Sequence, residues 1–157
     1  MQQVRPWLFI GKYSETLNRD LLERSKIHSV LELAAPVEHD TLTTLYLPVE
    51  DGVPLRPEAL ANGVAFVRSE YALGNRVLVA CGAGISRSVT FAIAALKEEE
   101  GLTLLNAFRE IAKVHPNGMP HPELWQSLCQ YYGEDTSFLD MWRQIRSGVG
   151  KDEEDPS

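Results

Sequence analysis

The stretch Val77-Leu78-Val79-Ala80-Cys81-Gly82-Ala83-Gly84-Ile85-Ser86-Arg87-Ser88-Val89-Thr90 decides the fold of this chain. Residues 76–80 form the most β-like run in the sequence, and the run stops at Cys81. A loop with two glycines follows, and residues 88–100 have the pattern of a helix that Gly101 ends. The stretch therefore predicts a strand, a tight loop and a helix N-terminus, a junction at which α/β proteins bind ligands.

Size and composition indicate one globular domain. The chain has 157 residues, of which 44% are hydrophobic and 24% charged, as in ordinary proteins with a single core. Its net charge of −7 argues against a general nucleic-acid binder. No run approaches the roughly 18 apolar residues of a membrane span, so we expect neither nucleic acid nor membrane as a partner. Two cysteines are too few for a disulfide framework, which favours a cytoplasmic location.

Strands alternate with helices in the first half of the chain, whereas the second half reads as helices alone. Strands are predicted at residues 7–11, 29–33, 43–49 and 76–80. Helices are predicted at residues 15–25, 57–73, 88–100, 104–114, 122–132 and 138–145. This order predicts an α/β fold with a central, mostly parallel, twisted sheet of about four to five strands, flanked by helices. We expect a single domain over residues 1–147 and a disordered acidic tail over residues 148–157.

The loop after Cys81 has the composition of an anion-binding site. Gly82 and Gly84 allow the backbone to curl so that successive N–H groups point inward, next to the positive end of a helix dipole. Arg87 can add a planar guanidinium that binds two oxygens of the same anion. A thiol at the floor of such a nest ionises readily, and the thiolate is a nucleophile. The segment therefore predicts a phosphate-sized oxyanion above a thiolate, which suits phosphoryl transfer to sulfur.

Phosphoryl transfer to sulfur also needs an acid, which one carboxyl on a nearby loop can supply before it activates water. Asp51 is the best candidate, since it opens a Gly/Pro loop after a predicted strand, and Glu50 and Asp40 are alternatives. Taken alone, an aspartate here is more commonly a solvated turn residue. Ser88 can either donate a hydrogen bond to the thiolate or cap the helix, and Ser86 is expected to be a loop or N-cap residue.

The segment Cys81 to Ser88 resembles the C-x5-R signature of the cysteine-dependent protein tyrosine phosphatases, and its Ala-Gly-x-Ser-Arg-Ser wording resembles the dual-specificity branch. Residues 7–11, 27–33, 47–51 and 107–117 resemble further segments of that family. The resemblance implies the fold predicted above, a phosphorylated protein or peptide as substrate, and no metal or organic cofactor.

The resemblance also implies a role for each residue of the loop. Cys81 would be the nucleophile that forms a phosphocysteine, and Arg87 would bind substrate and transition state. Asp51 would protonate the leaving group and then activate water, and Ser88 would assist hydrolysis of the intermediate. The substrate phosphate would be bound by the segment Gly82, Ala83, Gly84, Ile85, Ser86 and Arg87.

The chain departs from the family pattern at two places. The family usually has a histidine before the cysteine, where it helps to fix the loop and keep the thiol acidic, and this chain has Ala80. The change predicts a less acidic thiol and some loss of activity, but it removes neither nucleophile nor anion site. The second departure is the proline-rich segment 116–122, which is expected to alter the wall near the pocket.

Three functions are compatible with these residues. A protein phosphatase acting on phosphotyrosine, with phosphoserine and phosphothreonine as further targets, is favoured because Gly82, Ala83 and Ile85 supply no basic side chain for polyphosphorylated substrates. A phosphatase for a small phosphomonoester stays open. A non-catalytic phospho-binding module would keep the nest but need no acid, and Ala80 is the feature that favours it.

Two further residues are candidates for the site. His115 ends a predicted helix, and a helix C-terminal histidine is a more common role than a pocket residue. Cys129 lies within a predicted helix, where a small buried residue is more common than a redox partner for Cys81.

Overall fold

The computed structural model describes residues 1–154, with side chains through residue 147. The strands are β1 (Gln2–Arg5), β2 (Leu8–Lys12), β3 (Ser29–Glu32), β4 (Thr43–Tyr46) and β5 (Val77–Cys81). The helices are α1 (Tyr13–Thr16), α2 (Arg19–Arg24), α3 (Pro57–Ala72), α4 (Arg87–Glu100), α5 (Leu104–Val114), α6 (Pro122–Tyr132) and α7 (Phe138–Glu154).

The five strands form one sheet in the order β1-β2-β5-β3-β4. Four of them run parallel, and β1 pairs antiparallel with β2. The predicted fold class, a mostly parallel sheet with flanking helices, is confirmed. Because β5 lies in the middle of the sheet, its carboxyl end opens between the ends of β2 and β3, where parallel sheets place their binding sites.

The two faces of the sheet are buried to different extents. Leu31 and Val79 belong to the main core, over which α3 and α4 pack. Val30 and Leu78 point to the other face and form a smaller cluster with Leu22 of α2. The alternation follows from the two-residue period of a strand.

Helix α4 fixes the position of the loop that precedes it. All residues from 88 to 96 of this helix are buried, which is typical of a helix covered on every side. Other helices surround it, namely α3, α5 and α6. The N-terminus of α4 is therefore held firmly beside the end of β5.

Several element boundaries differ from the sequence predictions. The edge strand β1 was not predicted, because its mostly polar side chains lack the apolar run of a buried strand. The single helix predicted over residues 15–25 is two helices, since Asn18 accepts a hydrogen bond from the Leu21 N–H and so starts α2 anew. Strand β4 ends at Tyr46, before Pro48.

The predicted domain end at residue 147 falls inside α7, which continues to Glu154. Residues 155–157 of the expected tail lie outside the described residues, so the domain boundary and the disorder of the tail stay predictions. No helix in the described part of the chain is both long and apolar enough to cross a membrane.

Candidate active site

The loop from Cys81 to Arg87 joins the last residue of β5 to the first residue of α4. Cys81 is buried, with only 3% of its surface exposed. Gly84 has a φ of +72°, and a Cβ on it would lie 3.0 Å from the backbone carbonyl carbon and oxygen of Gly11. Only glycine accepts both the positive φ and this close approach. Gly84 therefore lets the loop curl tightly against the end of β2.

The carbonyl groups of the loop are bound by the body of the protein. Gly82 O accepts from the Tyr13 N–H at 3.4 Å, and Ile85 O accepts from the Met119 N–H at 2.9 Å. Ser86 O accepts from the Thr90 N–H inside α4 at 3.0 Å. Within the described residues, the N–H groups of residues 82–86 have no backbone acceptor. These amides can therefore bind an anion, and that they do so stays a prediction.

Ser88 lies directly behind the cysteine. Its Oγ is 3.2 Å from Cys81 Sγ, and the serine is fully buried. The N-cap position of α4 is held by Ser86, not Ser88, and the Ser86 side chain makes no capping hydrogen bond. Of the two roles weighed for Ser88, a hydrogen bond with the sulfur is the one that its position allows.

Arg87 reaches from the start of α4 to the loop that carries the candidate acid. Its Nη1 donates a hydrogen bond of 3.0 Å to the carbonyl of Val49, two residues before Asp51. Its Nη2 lies close to Gly82, where a Cβ would be only 3.0 Å away. The guanidinium thus lies between the anion-binding loop and the loop after β4.

Asp51 is joined to the same site by a second contact. Ser86 Oγ donates a hydrogen bond of 2.7 Å to Asp51 Oδ1, and the aspartate is exposed at the rim. Of the two alternatives, Glu50 is also exposed beside Asp51. Asp40 lines a separate groove with Arg19 and other α2 residues. The structure brings Cys81, Arg87, Ser88 and Asp51 together and leaves Asp40 outside.

Comparison with known proteins shows the family to which the chain belongs. The model of the dual specificity phosphatase catalytic domain matches residues 8–134. The chain belongs to the dual specificity phosphatase family. Mouse dual specificity protein phosphatase 15 is 31% identical to this chain in an alignment over 164 residues, gaps included. The alignment covers 99% of this chain and 68% of the mouse protein. The matched region includes every element from β2 to α6.

Two solved structures show the same fold. The human tyrosine phosphatase-like serine/threonine/tyrosine-interacting protein superposes with a TM-score of 0.78 at 25% identity, over 85% of this chain and 95% of that chain. The crystal structure of DUSP15 superposes with a TM-score of 0.74 at 25% identity, over 92% and 94% of the two chains.

Other relatives are longer. The chain spans 24% of human protein phosphatase Slingshot homolog 3, at 26% identity, and 60% of mouse dual specificity protein phosphatase 19, also at 26% identity. The similarity to these two proteins is therefore a similarity to part of each.

Two histidines contact the site although sequence reasoning did not place them there. His115 ends α5, as predicted, but it is buried and its Nε2 lies 2.8 Å from the carbonyl of Gly84. A buried imidazole at this distance donates its N–H to the carbonyl and so supports the loop. A helix-ending histidine followed by proline carried no sequence signal for this contact.

His121 was missed altogether. Its backbone N–H donates to Ser86 Oγ at 2.8 Å, and its ring lies beside Gly52, where a Cβ would be 3.5 Å from Nε2. Ser86 thus connects the α6 N-terminus with Asp51. The proline-rich segment 116–122 was the available signal, because it was expected to shape a wall of the pocket.

Ala80 and Cys129 lie away from the anion-binding surface. Ala80 is buried in β5 on the face opposite Cys81. Cys129 is half-buried on α6, with its Sγ 3.5 Å from the Thr136 carbonyl, and burial raises the pKa of its thiol. A thiol of this kind is an inert, small packing residue. Among the described residues, no group of three or more His, Cys, Asp or Glu side chains is arranged to hold a metal ion.

Proposed function

We propose that this chain is a protein phosphatase that hydrolyses phosphotyrosine, and phosphoserine or phosphothreonine, through a phosphocysteine intermediate. The observation that carries the proposal is the packing of Cys81 Sγ, 3.2 Å from Ser88 Oγ, beneath a loop whose carbonyls are held by the protein body. Such a loop offers its amides to a phosphate and its thiolate to the phosphorus atom.

In the first step, the loop amides and Arg87 bind the three non-bridging phosphate oxygens. The Cys81 thiolate attacks phosphorus from below, and the bond to the leaving oxygen breaks on the opposite side. Asp51 gives its proton to that oxygen as it leaves. The products are a phosphocysteine, an alcohol or phenol, and an Asp51 carboxylate.

In the second step, the Asp51 carboxylate takes a proton from water, and the water oxygen attacks the phosphocysteine. The bond between phosphorus and sulfur breaks, and inorganic phosphate is released. Sulfur leaves as a thiolate, which accepts a hydrogen bond from the Ser88 hydroxyl. The contact between Ser86 Oγ and Asp51 Oδ1 supports this route, because it holds the carboxyl at the rim of the loop.

The proposal is tested with p-nitrophenyl phosphate and a phosphotyrosyl peptide. Cys81→Ser is expected to abolish release of phosphate from both. Asp51→Ala is expected to slow kcat on the peptide by roughly 10²–10⁴-fold and to slow kcat on p-nitrophenyl phosphate less, because p-nitrophenolate leaves without a proton. Asp40→Ala is the matched control and should keep the wild-type kcat. An unchanged kcat in Asp51→Ala would contradict the acid assignment.

The second candidate is a phospho-binding module without turnover, which Ala80 favours. The human protein that superposes with the highest TM-score quoted above is named for interaction rather than for catalysis. Wild-type protein that is inert toward both substrates, yet binds the phosphotyrosyl peptide, would establish this alternative. Turnover of p-nitrophenyl phosphate with neither turnover nor binding of phosphopeptides would instead favour a small phosphomonoester.

A further inference from the structure

A buried carboxyl lies beside the residue that precedes the nucleophile, on the opposite face of the sheet. Glu32 is the last residue of β3 and pairs in register with Ala80 of β5. It is only 2% exposed, and its Oε1 has no hydrogen-bond partner among the described residues. An unpartnered buried polar atom destabilises the folded chain, so packing alone does not explain a carboxyl at this position.

The row of residues across the sheet explains the space for this carboxyl. Gly11, Ala80 and Glu32 occupy matching positions on β2, β5 and β3. Residues in register on parallel strands point to the same face, and adjacent strands lie about 4.8 Å apart. Because glycine and alanine fill so little of this face, the Glu32 side chain has room beside the peptide that leads into Cys81.

We propose that Glu32 controls oxyanion binding by the anion-binding loop through its charge: its protonated carboxyl permits tight oxyanion binding, and its ionised form weakens that binding by like-charge repulsion. The inference rests on the proposed function only in that the loop binds a phosphate-like dianion. It assigns to this chain an electrostatic control that acts from the opposite face of the sheet.

The surroundings of Glu32 favour a carboxyl that changes charge near neutral pH. Burial raises the pKa of Glu32 from 4.5 to about 7. Charged and titratable groups on this side of the sheet come from the strands, from α1 and α2 and from the loop before β4. They include the Met1 ammonium, Glu15, Arg19, Glu23, His39, Asp40, Tyr46 and Arg76, whose guanidinium lies over Phe9. The first two pair with each other. On the other face, α3 contributes Glu70, which is bound by Ser29 and Asn75.

The sign of the effect follows from charge. Ionised Glu32 and a bound dianion repel each other, so binding is stronger when the carboxyl is protonated. The repulsion between one charge and a dianion about 10 Å apart, at an effective dielectric constant of roughly 50 for a solvent-accessible ligand, changes affinity on the order of tenfold. Oxyanion affinity is therefore expected to fall as pH rises through about 7, and by reciprocity a bound oxyanion raises the pKa of Glu32.

Sulfate tests the proposal, because it is a dianion throughout the range and its binding needs no turnover. Its affinity is measured between pH 5.5 and 8.5 from the NMR shifts of the loop amides, at constant ionic strength, in wild type and Glu32→Gln. The two proteins differ only at position 32 and share every other group at the loop. The difference between the two curves isolates Glu32.

Glu32→Gln is expected to bind sulfate about as tightly as wild type at pH 5.5 and on the order of tenfold more tightly at pH 8.5. Glu70→Gln is the matched control and should follow the wild-type curve. Glu70 is a buried carboxyl on α3 that contacts Ser29 at the start of β3. Parallel curves for wild type and Glu32→Gln, or no sulfate binding at any pH, would overturn the proposal. If the protein lacks turnover but the sulfate-affinity curves of wild type and Glu32→Gln diverge as expected, the proposed function fails and the proposal for Glu32 stands.

A second measurement covers the case in which Glu32→Gln fails to fold. The side-chain carboxyl resonance of Glu32 in wild-type protein is titrated with and without saturating sulfate. Sulfate is expected to move the titration midpoint of Glu32 to higher pH by linkage. An unchanged midpoint would contradict the proposal.

Discussion

At the scale of single residues, the site depends on what lies behind the nucleophile. Cys81 is buried, and Ser88 lies beside its sulfur on the same face of the sheet. The preceding residue, Ala80, points to the opposite face. The sulfur must leave as a thiolate in the second proposed step, and Ser88 Oγ, at 3.2 Å, is positioned to stabilise that charge. Because the Ala80 side chain is small, that face of the sheet has room for the side chain of Glu32, which pairs in register with Ala80.

Removing the serine hydroxyl tests this arrangement. Ser88→Ala is expected to slow hydrolysis of the intermediate at least about tenfold, so that p-nitrophenol appears in a burst followed by a slow steady state. Stopped-flow absorbance measures both phases. Ser29→Ala, which changes a buried serine at the far end of β3, is expected to show wild-type phases, and a uniform slowing without a burst would contradict the role of Ser88.

The alanine before the cysteine gives a second test. Ala80→His restores the residue that the family resemblance places there, and it is expected to increase the fraction of Cys81 present as thiolate. The rate of alkylation by iodoacetamide at pH 6 should therefore rise. Equal rates in wild type and Ala80→His would show that position 80 does not influence the thiol.

At the scale of elements, the anion-binding loop is held from three directions. Gly11 at the end of β2 lies against Gly84, His115 at the end of α5 contacts the Gly84 carbonyl, and Met119 donates to Ile85. Gly118 lies against His115, where a Cβ would come within 2.5 Å of the ring. The loop geometry thus depends on α5 and on the segment after it.

Loss of the imidazole should loosen this support. His115→Ala removes one buried hydrogen bond, worth about 1 kcal/mol, so sulfate affinity is expected to fall several-fold. Calorimetric titration with sulfate measures the effect. His28→Ala, an exposed histidine before β3, is the control, and an unchanged affinity in His115→Ala would contradict a supporting role.

At the scale of the whole molecule, periodicity was enough to predict the sheet and the large helices. Buried strands and helices such as β5 and α4 have strong apolar patterns, whereas β1 has none, because its register depends on pairing with β2. The break before α2 depends on one cap, Asn18, within an otherwise helical pattern.

The candidate site was predicted where its residues are contiguous and was missed where they are distant in sequence. Cys81, Arg87 and Ser88 lie in one segment. Asp51 was predicted from its position in a Gly/Pro loop and from the resemblance of residues 47–51 to a segment of the family. His115 and His121 enter only through tertiary packing, which no local pattern encodes. Glu32 had a weak signal, a lone acidic residue within an apolar strand.

Global stability should depend on pH through Glu32. Folding raises the pKa of this carboxyl from 4.5 to about 7, so the unfolded chain loses the proton at lower pH than the folded chain. Stability therefore falls between these values, by up to about 3 kcal/mol. Urea unfolding should find Glu32→Gln no less stable than wild type at pH 8, with its advantage shrinking toward pH 4.5.

A glutamate on the surface supplies the control for that experiment. Glu38→Gln changes an exposed carboxyl and should stay within about 0.5 kcal/mol of wild type at every pH. If the free energies of unfolding of wild type and Glu32→Gln differ by the same amount at pH 4.5 and pH 8, the burial of an ionisable carboxyl at Glu32 does not govern stability.

Trapping the covalent intermediate tests the central claim most directly. Ser88→Ala protein is mixed with p-nitrophenyl phosphate, quenched in acid within the burst, and digested for mass spectrometry. The account predicts one added phosphoryl group on the peptide that contains Cys81, and none in Cys81→Ser. Turnover of the substrate with no phosphorylated Cys81 in either wild type or Ser88→Ala would contradict it.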